Sequence, residues 1–314
     1  MRRGTILSTI LSGFIFSLII LLPGCTSHDK QPCEEDYDFT FAFLTDIHVQ
    51  PEKMAIEGFQ KAIEKVNELD PDFVITGGDL IMDALGVGYD RADSLFQIYT
   101  ETAESFNMPV YNTLGNHEVF AWYNSSGADT LHPERGKTMY TNRMGERYYS
   151  FDHKGWHFLI LDSVEEAEGE GYIGEIDAEQ MEWIKQDLAG IGKDVPVVVS
   201  VHIPMYTILT QIRNGSRESN GQGMVINNSK ELLEILLDYN LKLVLQGHLH
   251  YLEDIYVAGI HFITSGAVSG AWWRGPVRDC EEGFLMIRVK GEEFEWEYVD
   301  YGWEVDEKDR LHIE

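Results

Sequence analysis

The sequence predicts a layered α/β domain. Short apolar runs of strand length alternate with stretches of helical periodicity over most of the 314 residues, and the C-terminal part turns into successive strands. A third observation bears on function: five of the apolar runs end in aspartate, histidine or asparagine.

The first 24 residues stand apart. Arg2 and Arg3 form a basic head, an apolar stretch runs from Ile6 to Leu22, and Leu22-Pro23-Gly24-Cys25 follows. This arrangement resembles the lipobox of bacterial lipoproteins. The resemblance implies that residues 1–24 are a signal peptide and that Cys25 becomes the lipidated first residue of the mature chain. An uncleaved transmembrane anchor is the alternative, because the stretch is nearly long enough to span a bilayer. Both readings export the domain and tie it to a membrane, in the periplasm or at the cell surface. Residues 25–38 are polar and acidic after Cys25 and read as a flexible tether. The folded domain is expected over residues 39–314. Cys33 and Cys280 remain as thiols that an exported protein could join in a disulfide.

Within the domain each element follows from a local pattern. Phe39 to Leu44 is an aromatic-rich strand, and Ile56, Phe59, Ile63 and Val66 repeat at helical spacing. Asp72 to Thr76 reads as a buried strand, Asp90 to Phe106 as a helix, and Pro109 to Thr113 as a strand. Met181, Ile184 and Leu188 mark a helix face, and Val195 to Val201 is the most β-branched run. Lys230 to Asp238 reads as a helix and Leu241 to Gln246 as a strand. Ile255–Val257, His261–Thr264, Phe284–Val289 and Glu293–Val299 complete the set of strands. Residues 118–147 and 207–228 show no clear period and are expected to rim the mouth of a site.

Composition narrows the function. The chain is 44% hydrophobic and long enough for one large core. A formal net charge of −29 leaves no broad basic surface, so no nucleic-acid partner is expected. A small phosphorylated substrate stays compatible, because bound metal ions dominate the local field of a site.

The polar residues that end the apolar runs are Asp46-Ile47-His48, Gly77-Gly78-Asp79, Gly115-Asn116-His117-Glu118, His202, and Gly247-His248-Leu249-His250. Strand ends of an α/β sheet face the crevice where ligands bind. Residues two apart on an extended segment point the same way, so Asp46 can converge with His48 and His248 with His250. The donors are carboxylate, imidazole and one amide, without thiolate, which suits Mn, Fe, Zn or Co. Singly, each motif is weak: a lone histidine in a strand is usually packed or on the surface. Five independent turns should not all carry ligand chemistry.

These motifs resemble those of the calcineurin-like metallophosphoesterases, over about Phe39 to His261. Tyr149 to Asp152 and His157 to Ser163 match more loosely. The resemblance implies two mixed β-sheets packed as a sandwich, flanked by helices. It implies that Asp46, His48 and His250 hold one metal ion, that Asn116, His202 and His248 hold a second, and that Asp79 bridges both. It also implies that His117 stands beside the metals and faces the substrate. Two such ions, roughly 3.5–4 Å apart, clamp a phosphoryl group and lower the pKa of bound water, whose hydroxide attacks phosphorus in line with the leaving oxygen. His117 would then protonate the leaving alkoxide. The expected activity is hydrolysis of phosphomonoesters or phosphodiesters.

Two departures narrow the subfamily. Purple acid phosphatases carry tyrosine three residues after the bridging aspartate, where this chain has Met82. Protein Ser/Thr phosphatases carry Asp-Arg at the third and fourth positions, where this chain has Met82-Asp83. The bacterial phosphodiesterase-like members are the nearest resemblance. A non-catalytic module that keeps the fold is the competing reading, and the complete ligand set with His117 argues against it.

Some residues keep two readings. Trp272-Trp273-Arg274 is either a substrate wall, with indole faces and a guanidinium, or a packed loop with a surface arginine. His132, His153 and His157 read as surface or packing residues, and Asp162 as either a support of the site or a strand-end hydrogen-bonding group.

Overall fold

The structure is a computed structural model that describes residues 37–278 and 280–311. The expected signal peptide, Cys25, Cys33 and most of the tether lie outside the described residues. Among those described, no helix is long and apolar enough to cross a membrane. Asp38, at the expected end of the tether, already belongs to the fold: its N–H donates to Val289 O at 2.8 Å.

Strands β1 (Phe39–Leu44), β2 (Phe73–Thr76) and β3 (Val110–Asn112) run parallel, with helices α1 (Ala55–Leu69) and α2 (Tyr89–Ala103) in the two crossovers. A parallel pair needs such a crossover, which is why the strand and helix patterns alternate. After α3 (Thr138–Met144) come β4 (Tyr149–His153), β5 (Trp156–Ile160) and a ribbon of β6 (Val164–Glu166) with β7 (Tyr172–Gly174). Next follow α4 (Ala178–Ala189), β8 (Pro196–Val201), α5 (Leu209–Asn214), α6 (Ser229–Leu236) and β9 (Asn240–Gln246). The chain closes with β10 (Glu253–Val257), β11 (Ile260–Thr264), β12 (Gly283–Lys290) and β13 (Glu293–Asp300).

The strands form two mixed sheets, in the orders β13-β12-β1-β2-β3 and β10-β11-β9-β8-β5-β4. The four C-terminal strands divide between them. β10 and β11 extend the second sheet, whereas β12 inserts antiparallel against β1 and carries β13 to the edge. One core joins the sheets face to face: Phe39, Phe41, Phe43 and Phe73 from the first meet Trp156, Phe158 and Leu245 from the second. A larger core covers the outer faces with helices, and α1 contributes Phe59, Ala62, Ile63 and Val66 to it. The expected helix-flanked sandwich is the observed fold.

Local differences have physical causes. The helix expected to run to Phe106 stops at Ala103, because the segment turns toward β3. On α4 the buried face is Gln180, Ile184 and Leu188, with Met181 only partly covered. Gln180 is buried because its amide exchanges two hydrogen bonds with the backbone of Asp162. The two segments without clear period contain short helices, α3 and α5.

Asp162 is a fold element. Its buried carboxylate pairs with Lys137 at 2.7 Å and Arg147 at 2.8 Å. His157 lies buried between Asp152 and Asp187, each at 2.7 Å. His153 packs edge-on against Phe39 and Phe73, and His132 lies beside Tyr89 and Phe120. All three histidines pack, as the sequence suggests.

Candidate metal centre

The seven expected ligand residues gather at the C-terminal ends of β1, β2, β3, β8 and β9. They do not sit on extended backbone. Asp46, His48, Asp79, His248 and His250 all have positive φ, between 47° and 72°. Asp46 and His48 do fall in one group of donors, through left-handed turns and not along an extended segment, whereas His248 and His250, expected to converge in the same way, fall in different groups. Non-glycine residues in the left-handed region are strained, and they cluster where surrounding structure over-determines them.

Three overlapping groups of donors result. Asp46, His48 and His250 form one, Asp79, His202 and His248 a second, and His48, Asp79 and His117 a third that links them, with the ligand atoms of each group within 4.8 Å of one another. His48 Nε2 faces His250 Nε2 at 3.1 Å, and His250 Nε2 lies 3.3 Å from Asp46 Oδ1. In the second group, His202 Nε2 lies 3.1 Å from Asp79 Oδ2 and 3.1 Å from Asn116 Oδ1. Asp79 Oδ2 also lies 3.7 Å from His48 Nε2, which makes it the side chain where the first two groups meet. His117 Nε2 is 3.8 Å from the same oxygen, and the His117 ring stands edge-on to His48. The His117 side chain is 23% exposed, against 0% for His48 and His202.

Backbone groups aim the rings. His202 Nδ1 donates to Gly77 O at 2.8 Å, and His250 Nδ1 donates to Gly270 O, which leaves both Nε2 atoms free to ligate. His117 Nδ1 donates to Met82 O, so its Nε2 carries any transferable proton. Thr45 Oγ1 donates to Asp46 Oδ2, and Ser269 Oγ donates to Asp46 O. Trp273 Nε1 donates to His48 O.

Glu118 is the supporting residue that sequence reasoning left without a role. Its buried carboxylate accepts four backbone N–H bonds, from Asp79, Leu80, Ile81 and Gly115. It thereby clamps the loop after β2 to the loop after β3. Gly115 must be glycine here, since a Cβ would come within 2.2 Å of Asp79 N. Gly78, at φ 88°, likewise leaves room for the His202 ring. Glu118's position at the end of Gly-Asn-His was visible in sequence; its three partners in the loop after β2, Asp79, Leu80 and Ile81, were not.

The electrostatics suit cations. Burial would raise the Asp46 carboxyl, but His250 and its hydrogen bond outweigh it and hold the group at about 2. Burial opposes Asp79's ionisation too, and His202 and His117 hold it well below the usual carboxylate range. Burial would lower His202, yet the Asp79 and Asp46 carboxylates hold it up at about 9. His248 is pushed down to about 4 by burial and by its neighbour His202. Buried carboxylates here are compensated by protons on the imidazoles, and entering cations would replace those protons. Carboxylate, imidazole Nε2 and amide oxygen atoms converging in this way fit two divalent ions.

The Trp-Trp-Arg stretch divides among three environments. Trp273 is fully buried against Gly58 of α1. Trp272 is 39% exposed, with its ring 4.7 Å from that of His250 and 6.1 Å from that of His48. Arg274 turns to the C-terminal segment, where its Nε donates to Asp309 O at 3.5 Å. Only Trp272 stands as a wall of the site.

Comparison with known proteins agrees with this geometry. The family model described as calcineurin-like phosphoesterase matches residues 39–252. A probable cyclic nucleotide phosphodiesterase of Xenorhabdus bovienii is 23% identical over 74% of this chain and 87% of its own length. Purple acid phosphatase 3 of Arabidopsis thaliana is 24% identical over 96% of this chain and 88% of its own. Among solved structures, a dimetal phosphatase from Danio rerio superposes with a TM-score of 0.60 at 14% identity, covering 85% of this chain and 98% of that one. At that identity the likeness is one of fold.

Proposed function

Since the chain belongs to the calcineurin-like phosphoesterase family and is a metal-dependent hydrolase of phosphoester bonds, we propose how its residues divide that work. Asp46, His48 and His250 hold one ion; Asn116, His202 and His248 hold the other; Asp79 serves both. The observation that carries this assignment is the pair of carboxylate–histidine groups that meet at Asp79. When bound, the ions supply Lewis-acid activation of water and neutralise phosphate charge. Two carboxylates against two divalent cations leave the site net positive, so an anionic phosphate is attracted despite the acidic surface.

His117 acts on the leaving group. Its Nδ1–H is committed to Met82 O, which fixes the ring and directs Nε2 into the site. In the imidazolium form Nε2–H is delivered to the departing alkoxide. Met82 offers only its backbone carbonyl and a thioether beside Gln50, so an iron–tyrosinate centre is not part of this reading. The metals are drawn from Mn, Fe, Zn and Co, and the substrate is a small phosphomonoester or phosphodiester. Lipidated Cys25 would hold the enzyme at a membrane outside the cytoplasm. This rests on the sequence of residues 1–25, and Cys25→Ser should abolish palmitate incorporation in cells.

The test uses residues 26–314 loaded with Mn²⁺, assayed on an aryl phosphate beside an aryl phosphodiester. Turnover of at least one is expected, and their ratio gives the monoester or diester preference. No turnover with any divalent metal would replace this reading with the non-catalytic module. His117→Asn should lower kcat about 10²- to 10⁴-fold with metal content unchanged. Joint loss of activity and metal would make His117 a ligand instead.

A further inference from the structure

Beside the metal centre lies a cavity of about 340 Å³, bounded on the metal side by His248 and His250. Trp272, Leu249, Val277, Arg213 and Arg278 also line it. Arg213 comes from α5, in one of the segments without clear period, and Arg278 from the strap that carries Trp272. Neither guanidinium makes an ion pair or a side-chain hydrogen bond among the described residues. Arg278 also borders a second cavity, whose lining includes Glu281 and Asp300, without pairing to either. This happens in a chain with 53 acidic and 24 basic residues, where most cations near a carboxylate find one.

We propose that this cavity is a substrate subsite for a second anionic group, set apart from the reacting phosphate by a flat apolar moiety. The inference rests on the hydrolase reading and adds a substrate class to it. Two like charges that share a cavity and lack counter-ions repel each other unless an anion joins them. Both side chains reach solvent, and the Arg278 charge adds to the larger effect of burial in lowering the pKa of Arg213, so the two guanidiniums lie near enough to repel. Guanidiniums bind carboxylate and phosphate through paired N–H bonds, so the anion can be either. Trp272 lines the same cavity as the arginines, beside His250, with a partly exposed indole suited to stacking on an aromatic ring or base. Its φ of 55° is unfavourable for a bulky residue, so the strap holds the ring there against backbone preference. Arg213 and Arg278 are therefore specificity residues that select substrates with two negative groups. They take no part in bond cleavage, which belongs to the metal centre and His117.

The experiment compares two non-hydrolysable probes on the Mn²⁺-loaded protein by calorimetry: phenylphosphonate and 4-carboxyphenylphosphonate. The carboxylated probe should bind about tenfold more tightly to wild type, an increment that shrinks with added salt. In Arg213→Ala/Arg278→Ala the two probes should bind equally. Trp272→Ala should weaken both probes alike. Equal binding of the two probes to wild type, or an increment that survives in the double variant, would overturn the subsite. Failure to turn over phenyl phosphate would instead overturn the hydrolase reading, and the binding increment would still be read.

Discussion

The two ends of β1 obey different physics. At its start, Phe39 and Phe41 lie in a cluster with Phe73 and Phe158, where the Phe41 and Phe73 rings stack at 5.1 Å and Phe73 meets Phe158 edge-on at 5.3 Å. The buried rings there are uncharged and the backbone is regular strand, with Asp72 and Lys154 paired at the partly exposed rim. Just beyond its end, Asp46 and His48 are equally buried, yet they are polar and left-handed. Buried polar groups and strained backbone each cost free energy. The loop keeps that geometry because the strands beneath it cannot move: aromatic packing joins β1 and β2 to β5 across the sandwich. One end supplies stability, and the other uses rigidity to hold chemistry in place.

Three substitutions would break or sharpen this contrast. The largest effect should come from Asp79→Asn, at the charged end. It removes the shared carboxylate while keeping a residue that tolerates left-handed φ. Loss of about 10³ in kcat/KM, or about 4 kcal/mol of barrier, is expected, with metal content reduced by elemental analysis. The thermal midpoint of the metal-free chain should fall as well, because the carboxylate that compensates the proton on buried His202 has been removed. An unchanged midpoint would mean that the charged end contributes nothing to the stability of the fold.

Next is Phe73→Ala at the aromatic end. It should lower unfolding free energy by about 3–4 kcal/mol in a denaturant titration. Turnover well below the melting temperature should be unaffected if the strands still hold the loops. A fall in kcat at full occupancy of the folded state would show that the two ends are coupled.

The smallest effect belongs to His157, remote from both ends. Burial would lower its pKa, but Asp187 and Asp152 outweigh that and raise it above its usual 6.5. The charged ring therefore stabilises the fold fully below pH 6.5, and that contribution is lost as pH rises through the raised value. His157→Asn should cost about 1 kcal/mol at pH 5.5 and distinctly less at pH 9. A cost that is the same at both pH values would mean that packing, and not charge, is what His157 provides.

How legible the molecule was depends on the range of the interactions. The alternation of strands and helices was readable because burial patterns repeat locally, as in Phe59, Ile63 and Val66. The candidate donors were readable because each motif is a short contiguous string at a strand end. Glu118 was not, because its role lies in N–H groups supplied by a different loop. The Trp-Trp-Arg stretch also needed the fold. Neighbouring side chains on a strap with left-handed turns diverge, so Trp273 enters the core, Trp272 faces the metals and Arg274 meets the C-terminal segment. Arg213 and Arg278 are 65 positions apart and carry no motif.

The sequence by itself determined the family, the sandwich of sheets and which donors can hold metal, since donor chemistry and burial period are properties of residues and their near neighbours. Only the tertiary structure decided that Asp46, His48, Asp79, His248 and His250 reach the centre through left-handed turns. It alone inserted β12 between β1 and β13, and set two arginines in one cavity with a partly exposed indole. These depend on contacts between distant segments, where packing outweighs local preference and sequence spacing carries no information about distance.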